Sequence, residues 1–334
     1  MTGGRITGTS ALRQPPVTLV CPDCKTRLRD GNPLSCDTCK NSYAVDGNIP
    51  VFEPDQLGYR DYEGWWTYER PFEELSRGRR LLFHHLRYWP YRERRFFDRH
   101  IKAASVMLDI GCWGGNGAIA AQGTVVGIDL SLDALKRASQ VYDLVVQGNI
   151  RSLPFADESF DCVFSSHVLG HLTAEEKDGA LGEIFRVTKP GGQSLHIVET
   201  DSNGRLASRA KLRPELYQKY FIDRYGHIGL ERASTVIDRF EAQGFVLDDV
   251  TKMDCLCPPP WYYEQYFDNE YARQDPVLAR KLRRSQWLSS TRASRLALGF
   301  AWGLFHSSWE QWLGRLDASM HISIHVRKPD GNLH

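Results

Sequence analysis

Four of the eight cysteines are packed between positions 21 and 39, as Cys21-Pro-Asp-Cys24 and Cys36-Asp-Thr-Cys39. Each Cys-x-x-Cys knuckle aims two thiolates at one centre, and two knuckles complete the closed tetrahedron that structural zinc prefers. A closed four-sulfur site leaves no position for water, so the spacing predicts a structural Zn2+ site rather than a catalytic one. A thioredoxin-like redox pair would need a βαβ context that the flanking residues lack. The second constellation is His167 and His171, at i and i+4, which share a face if the segment is helical. Imidazoles titrate near neutrality, so either could meet a proton during chemistry. As a metal pair they lack a third ligand nearby in sequence.

The third constellation is acid and glycine. Val106 to Gly117 reads Val-Met-Leu-Asp-Ile-Gly-Cys-Trp-Gly-Gly-Asn-Gly. An apolar run that ends in Asp109 and breaks into glycines predicts a buried parallel strand entering a tight turn, where a missing Cβ lets backbone approach a ligand. Asp129 closes a second apolar run, Thr-Val-Val-Gly-Ile-Asp. Strand, Gly-rich turn, short helix and a second strand ending in an acid describe one half of a nucleotide-binding α/β sheet, the acid placed for ribose hydroxyls.

Leu-Asp-Ile-Gly-Cys, Gly-Ile-Asp-Leu-Ser, Leu-Pro-Phe-Ala-Asp-Glu-Ser-Phe-Asp-Cys-Val and Lys-Pro-Gly-Gly follow one another between Val106 and Glu199. In this order they resemble the motifs of class I S-adenosylmethionine-dependent methyltransferases. A dinucleotide dehydrogenase competes weakly, since nothing after Asp129 supports a second nucleotide half. The resemblance implies an α/β, Rossmann-like, seven-stranded, mostly parallel sheet with an antiparallel last strand. It implies S-adenosylmethionine as cofactor, held by Asp109, Gly111, Cys112, Gly115, Asp129, Leu130, Asn149, Ile150 and Ser165. Asn149 stands where the family often has an acid, and its carbonyl oxygen can still accept a hydrogen bond. The family's middle loop glycine is Trp113 here, so the indole either points away from the cofactor or the following glycines re-register the turn. The acceptor side is expected from His171, His167, His227 and Tyr225, with His171 first as the group meeting the acceptor's proton. The knuckles, with a hairpin at Tyr43 to Phe52 turned by Asp-Gly-Asn, resemble the zinc ribbon fused ahead of many bacterial methyltransferases.

The rest of the chain bounds these readings. Its 334 residues, 42% hydrophobic and 25% charged, are ordinary globular composition, and a net charge of +1 gives no global pull toward nucleic acid. No apolar run approaches the roughly 18 residues a membrane span needs. Four parts are expected: a disordered leader over 1–16, a zinc ribbon over 17–56, an aromatic and basic helical segment over 57–105, and a methyltransferase domain over 106–334. That domain carries insertions at 201–230 and 258–315, the latter a C-terminal helical cap rich in aromatics that could be substrate lid, plain core or membrane-docking surface. The leader has no apolar core, so the cysteines are read in a reducing cytoplasm. Three functions stay open: methyl transfer to an O, N or C nucleophile of a small molecule, an rRNA or tRNA base methyltransferase favoured by the basic run Arg77 to Lys102, or a module that kept the fold and lost catalysis.

Overall fold

The computed structural model describes residues 16–53, 92–102, 105–256, 270 and 274–331. The expected leader, most of the aromatic and basic segment, and the aromatic cluster Trp261 to Tyr271 lie outside the described residues.

The chain's Val- and Ile-rich runs become strands buried on both faces. β1 (Leu34–Ser35), β2 (Ser42–Tyr43), β3 (Val45–Asp46) and β4 (Ile49–Pro50) form two small antiparallel pairs in the cysteine segment. β5 (Val106–Ile110), β6 (Thr124–Asp129), β7 (Leu144–Gln147), β8 (Phe160–Ser166), β9 (Thr188–Glu199), β10 (Val246–Met253) and β11 (His321–Arg327) build one seven-stranded sheet. Its order is β10-β11-β9-β8-β5-β6-β7, and β11 runs antiparallel to both neighbours while β5 to β9 pair in parallel. The chain steps outward from β5 to β7 and returns to β8 on the other side of β5. That reversal leaves a crevice at the carboxyl ends of β5 and β8, where open α/β sheets take their ligands.

Helices α1 (Arg92–His100), α2 (Gly117–Ala120), α3 (Leu132–Ala138), α4 (Ala174–Val187) and α5 (Ala233–Ala242) flank the sheet. On one face Phe96, Phe97, Ile119, Leu135 and Tyr142 pack with Phe164. On the other, Leu181, Ile184, Val236 and Phe240 join Leu19, Leu28, Leu34 and Phe52 of the cysteine segment in a single core. α4 starts at Ala174, where Thr173 and Glu176 close a capping box. Lys189 to Gly192 lies within β9 as a bulge, with the pairing shifted between Phe160 and Cys162.

The described part of the C-terminal excursion includes helices α6 (Pro276–Leu288) and α7 (Arg292–Phe305). Asp275 caps α6 and Thr291 caps α7. Leu278 and Leu282 of α6 bury against Ala210 and Phe221 of the other insertion, so the two insertions share a small core. Among the described residues no helix is long and apolar enough to cross a membrane.

The cysteine segment is stitched to the sheet at two places. Val20 N–H donates to the Pro154 carbonyl at 3.0 Å, and Phe52 N–H donates to the Gln147 carbonyl at 2.8 Å. Lys25 Nζ reaches Glu183 at 2.8 Å, and Glu183 also pairs with Arg186 and accepts from Leu153 N–H. Burial raises the Glu183 pKa, but the Arg186 and Lys25 bonds outweigh it and hold the carboxyl below the ordinary 4.5. Because the folded pKa is depressed, its stabilisation is complete above 4.5 and disappears as pH falls through the folded value. Glu183→Gln is therefore expected to cost about 1–3 kcal/mol at neutral pH, converging on the wild type in acid. Urea unfolding at a series of pH values measures this, and a difference independent of pH contradicts it.

Candidate active site

The turn after β5 is built from backbone that few residues tolerate. Gly111 sits at φ +67° and Gly115 at φ +78°. Gly111 N–H donates to the Ile128 carbonyl at 2.8 Å, which folds the turn back onto β6. A Cβ on Gly115 would press on Ala138 in the last turn of α3. Asp109, at the end of β5, accepts from the Tyr142 hydroxyl at 2.6 Å, and that hydroxyl accepts in turn from Asn116 N–H at 2.8 Å. Tyr142 thus ties the first acid to the far end of the loop, a role with no signature in sequence.

Asp129 ends β6. Its Oδ2 accepts from Trp113 N–H at 2.9 Å and its Oδ1 from Ser131 N–H at 2.8 Å. Burial raises its pKa, and these N–H groups pull it part of the way back. Leu130 N–H adds a third backbone donor, and a carboxylate's roughly four lone-pair sites still leave room for a ribose hydroxyl. Trp113 holds φ +48° with its ring beneath the Arg137 guanidinium at 5.1 Å. Its backbone orients Asp129 while its indole packs toward α3.

The remaining expected cofactor residues divide. Cys112 is buried, and the Leu130 carbonyl accepts from Gln147 Nε2 at 2.9 Å. Asn149 caps the short turn begun by Ile150, its Oδ1 accepting from Arg151 N–H at 3.0 Å and Arg151 Nε at 3.3 Å, so that oxygen is occupied locally. Ser165 is fully buried with its hydroxyl 2.7 Å from His196 Nδ1, which takes the side chain off the exposed edge.

The histidines occupy the adjoining turn. Val168 lies directly over Gly111: a Cβ there would stand 2.5 Å from Val168 Cγ2. His167 and His171 do not share a helical face, because His167 adopts φ +60° and only Leu169–His171 forms a short 3-10 turn. His167 is clamped between two carboxylates, Glu199 at 2.8 Å from Nδ1 and Glu93 at 3.3 Å from Nε2. Burial lowers its pKa, but Glu199 and Glu93 outweigh that and bring it up to about 10. A histidine held as a cation is an ion-pair partner, not a base at neutral pH.

His171 leans on the first insertion. Its Nδ1 is 3.2 Å from the Gly226 carbonyl, and its ring lies 5.2 Å from that of His227. His227 in turn stacks on Tyr225 at 5.8 Å, and its Nε2 is 3.6 Å from Glu199 Oε1. Burial lowers the His171 pKa and Glu199 opposes this, leaving a net downward shift, so the ring is neutral at physiological pH. All four expected acceptor-side residues therefore meet in one place. Glu199, which the sequence reading passed over, joins them. The fold also brings Glu199 and His227 beside His171 from distant segments.

At the N-terminus Cys21, Cys24, Cys36 and Cys39 converge with sulfurs within 4.8 Å of one another. The two knuckles have matching turns: Lys25 N–H donates to the Cys21 carbonyl and Lys40 N–H to the Cys36 carbonyl, with Lys25 at φ +57° and Lys40 at φ +63°.

Gly111 offers the sharpest test of the loop. Gly111→Ala adds left-handed backbone strain and a clash with Val168, each of order 1–2 kcal/mol, for a total loss of about 2–4 kcal/mol. Urea denaturation measures it, and an unchanged midpoint contradicts the loop geometry.

Residues 108–195 match the protein family described as a methyltransferase domain. Over 222 residues the chain is 30% identical to the sterol 24-C-methyltransferase of Schizosaccharomyces pombe, covering 60% of this chain and 55% of that protein. Over 128 residues it is 37% identical to the demethylmenaquinone methyltransferase of Lactiplantibacillus plantarum, covering 34% of this chain and 52% of the relative. The chain thus spans just over half the length of these curated relatives. Phosphoethanolamine N-methyltransferase 2 of Haemonchus contortus, solved with S-adenosylmethionine, aligns at a TM-score of 0.45 and 19% identity, over 74% of this chain and 56% of that one. The family match falls on β5 to β9, the strands that carry the loop and both acids, and the chain carries a class I S-adenosylmethionine-dependent methyltransferase domain.

Proposed function

We propose that the chain binds S-adenosylmethionine in the crevice at the carboxyl ends of β5 and β8 and transfers its methyl group to a small-molecule acceptor. The observation that carries this is the adjacency of two devices at one sheet edge. The Gly111 turn with Asp129 makes the cofactor side, and the His171, His227 and Tyr225 cluster, joined through Val168, makes the acceptor side. The cofactor, when bound, supplies an activated methyl on a sulfonium, so the protein's task is to align an incoming nucleophile. Asp129 offers its remaining lone pairs to the ribose, and Gly111 admits the cofactor close to backbone. His171, fixed through Nδ1 by the Gly226 carbonyl, presents Nε2 as its lone-pair nitrogen toward the acceptor side. The first insertion furnishes Tyr225 and His227, and its shared core with α6 supports an enclosed acceptor rather than a long polymer. A sterol 24-C-methyltransferase and a demethylmenaquinone methyltransferase among the relatives agree with a small acceptor.

Asp129→Ala removes the ribose acceptor and also releases Trp113 N–H, each bond to a charged group being worth about 1.5–3 kcal/mol. Cofactor affinity by calorimetry is expected to fall at least tenfold. Unchanged affinity would contradict the assignment of this acid.

For the cysteine segment we infer one structural zinc ion on Cys21, Cys24, Cys36 and Cys39. Four convergent thiolates with twin turns fit a closed tetrahedral site, and the ion would hold a ribbon with little core of its own. Removing zinc with a chelator is expected to unfold the ribbon while β5 to β9 persist, measured as loss of amide protection confined to residues 17–53. Protection that survives metal removal would overturn the structural role.

A further inference from the structure

The histidine cluster has the organisation of a second metal site. His171 follows β8, Glu199 ends β9 and His227 lies in the first insertion, yet one ligand atom from each falls within 4.8 Å of the others. The approach is fixed by backbone. Ile228 N–H and Gly229 N–H both lie 3.2 Å from the Gly170 carbonyl, and the ammonium of Lys177 on α4 holds the Gly229 carbonyl and, at 3.0 Å, Glu231. Gly170 is needed for the fit: a Cβ there would stand 3.0 Å from Glu199 Oε2 and 3.3 Å from His227 Cδ2.

Both imidazoles are anchored through Nδ1 to backbone carbonyls. His171 Nδ1 lies 3.2 Å from the Gly226 carbonyl, and His227 Nδ1 lies 3.2 Å from the Phe221 carbonyl. A carbonyl only accepts, so each Nδ1 carries a proton and Nε2 is the ring atom left to face an ion; His227 Nε2 lies 3.6 Å from Glu199 Oε1, and an ion bound there takes the place of any proton between them. A ligating histidine commonly donates its other N–H to a backbone carbonyl in this way. The third donor is Glu199, 8% exposed. Its Oε1 is held by His167 at 2.8 Å, while its Oε2 is buried and has no hydrogen-bond partner among the described residues. A buried carboxylate oxygen left unpaired is costly and calls for an occupant.

We propose that His171, His227 and Glu199 bind one divalent transition-metal ion, with zinc the simplest fit to two imidazoles and a carboxylate. Such a donor set leaves at least one position open, unlike the closed four-cysteine site. An oxygen atom of the acceptor can fill that position. The site thereby deepens the acceptor-side reading above, on which this consequence rests, by specifying an acceptor with an oxygen donor beside the atom that is methylated. His167 is a positioning residue, holding Glu199 by one oxygen and leaving the other for the ion.

The test uses the full chain purified from zinc-supplemented medium and desalted, with zinc counted by elemental analysis and the fold checked by circular dichroism. The wild type is expected to hold two ions per chain, and His171→Gln and His227→Gln are each expected to hold one. One ion in the wild type, or two in both folded variants, overturns the site. A measurement without variants is loading the wild type with cobalt(II). A second equivalent that absorbs in the visible without thiolate charge-transfer bands supports the site, and uptake that is thiolate-bound throughout overturns it. Cofactor affinity is measured on the same samples. Failure to bind S-adenosylmethionine with two ions in place would sink the methyl-transfer reading and leave the metal site standing.

Discussion

A carboxylate buried at the end of a central strand has to be answered by its neighbours, and Glu199 gathers the acceptor side of this protein for that reason. Burial pushes its pKa up, yet His167 and His227 hold it well below the ordinary range, so it is ionised inside the fold. His167 carries the interaction onward to Glu93 on α1, whose own pKa is brought down to about 2 against its burial. Four segments remote in sequence are thereby committed to one point: α1, the turn after β8, the end of β9 and the first insertion. Removing any one charge leaves another buried without its partner, an outcome more costly than never having formed the pair. This interdependence fixes the geometry at the carboxyl edge of the sheet.

The cofactor side obeys a different constraint. It is a matter of backbone, with Gly111 and Gly115 in the left-handed region, Trp113 beside them there, and Asp129 gripping the loop through N–H groups. Trp113 shows how the glycine of the related loops can be replaced. The strain of its positive φ is offset by an N–H bond to Asp129 and by packing against Arg137. At the far edge the cysteine ribbon solves a third problem. β7 ends the sheet, and Val51 pairs in parallel with Gln147, covering part of an edge that would otherwise be open to association.

Much of this was legible in the sequence, for identifiable reasons. β5, β6 and β7 are apolar runs buried on both faces, and such strands announce themselves. The cysteine knuckles carry their geometry in their spacing, and Ser131 is the N-cap its type suggests. The failures were non-local. His167 and His171 look like a helical pair, but the positive φ of His167 turns the chain and sends the two rings to different partners. Glu199 has no pattern around it, since one acid closing an apolar strand is meaningful only once β8 and the insertion are seen to reach it. The local bonds of Asn149 to Arg151 and of Ser165 to His196 likewise have no signature in the sequence.

The account stands on the crevice between β5 and β8 being an S-adenosylmethionine site. Equilibrium dialysis of the intact chain against radiolabelled S-adenosylmethionine tests this most directly. One molecule bound per chain, displaced by S-adenosylhomocysteine, is the predicted result. No saturable binding by a chain shown to be folded would contradict the account.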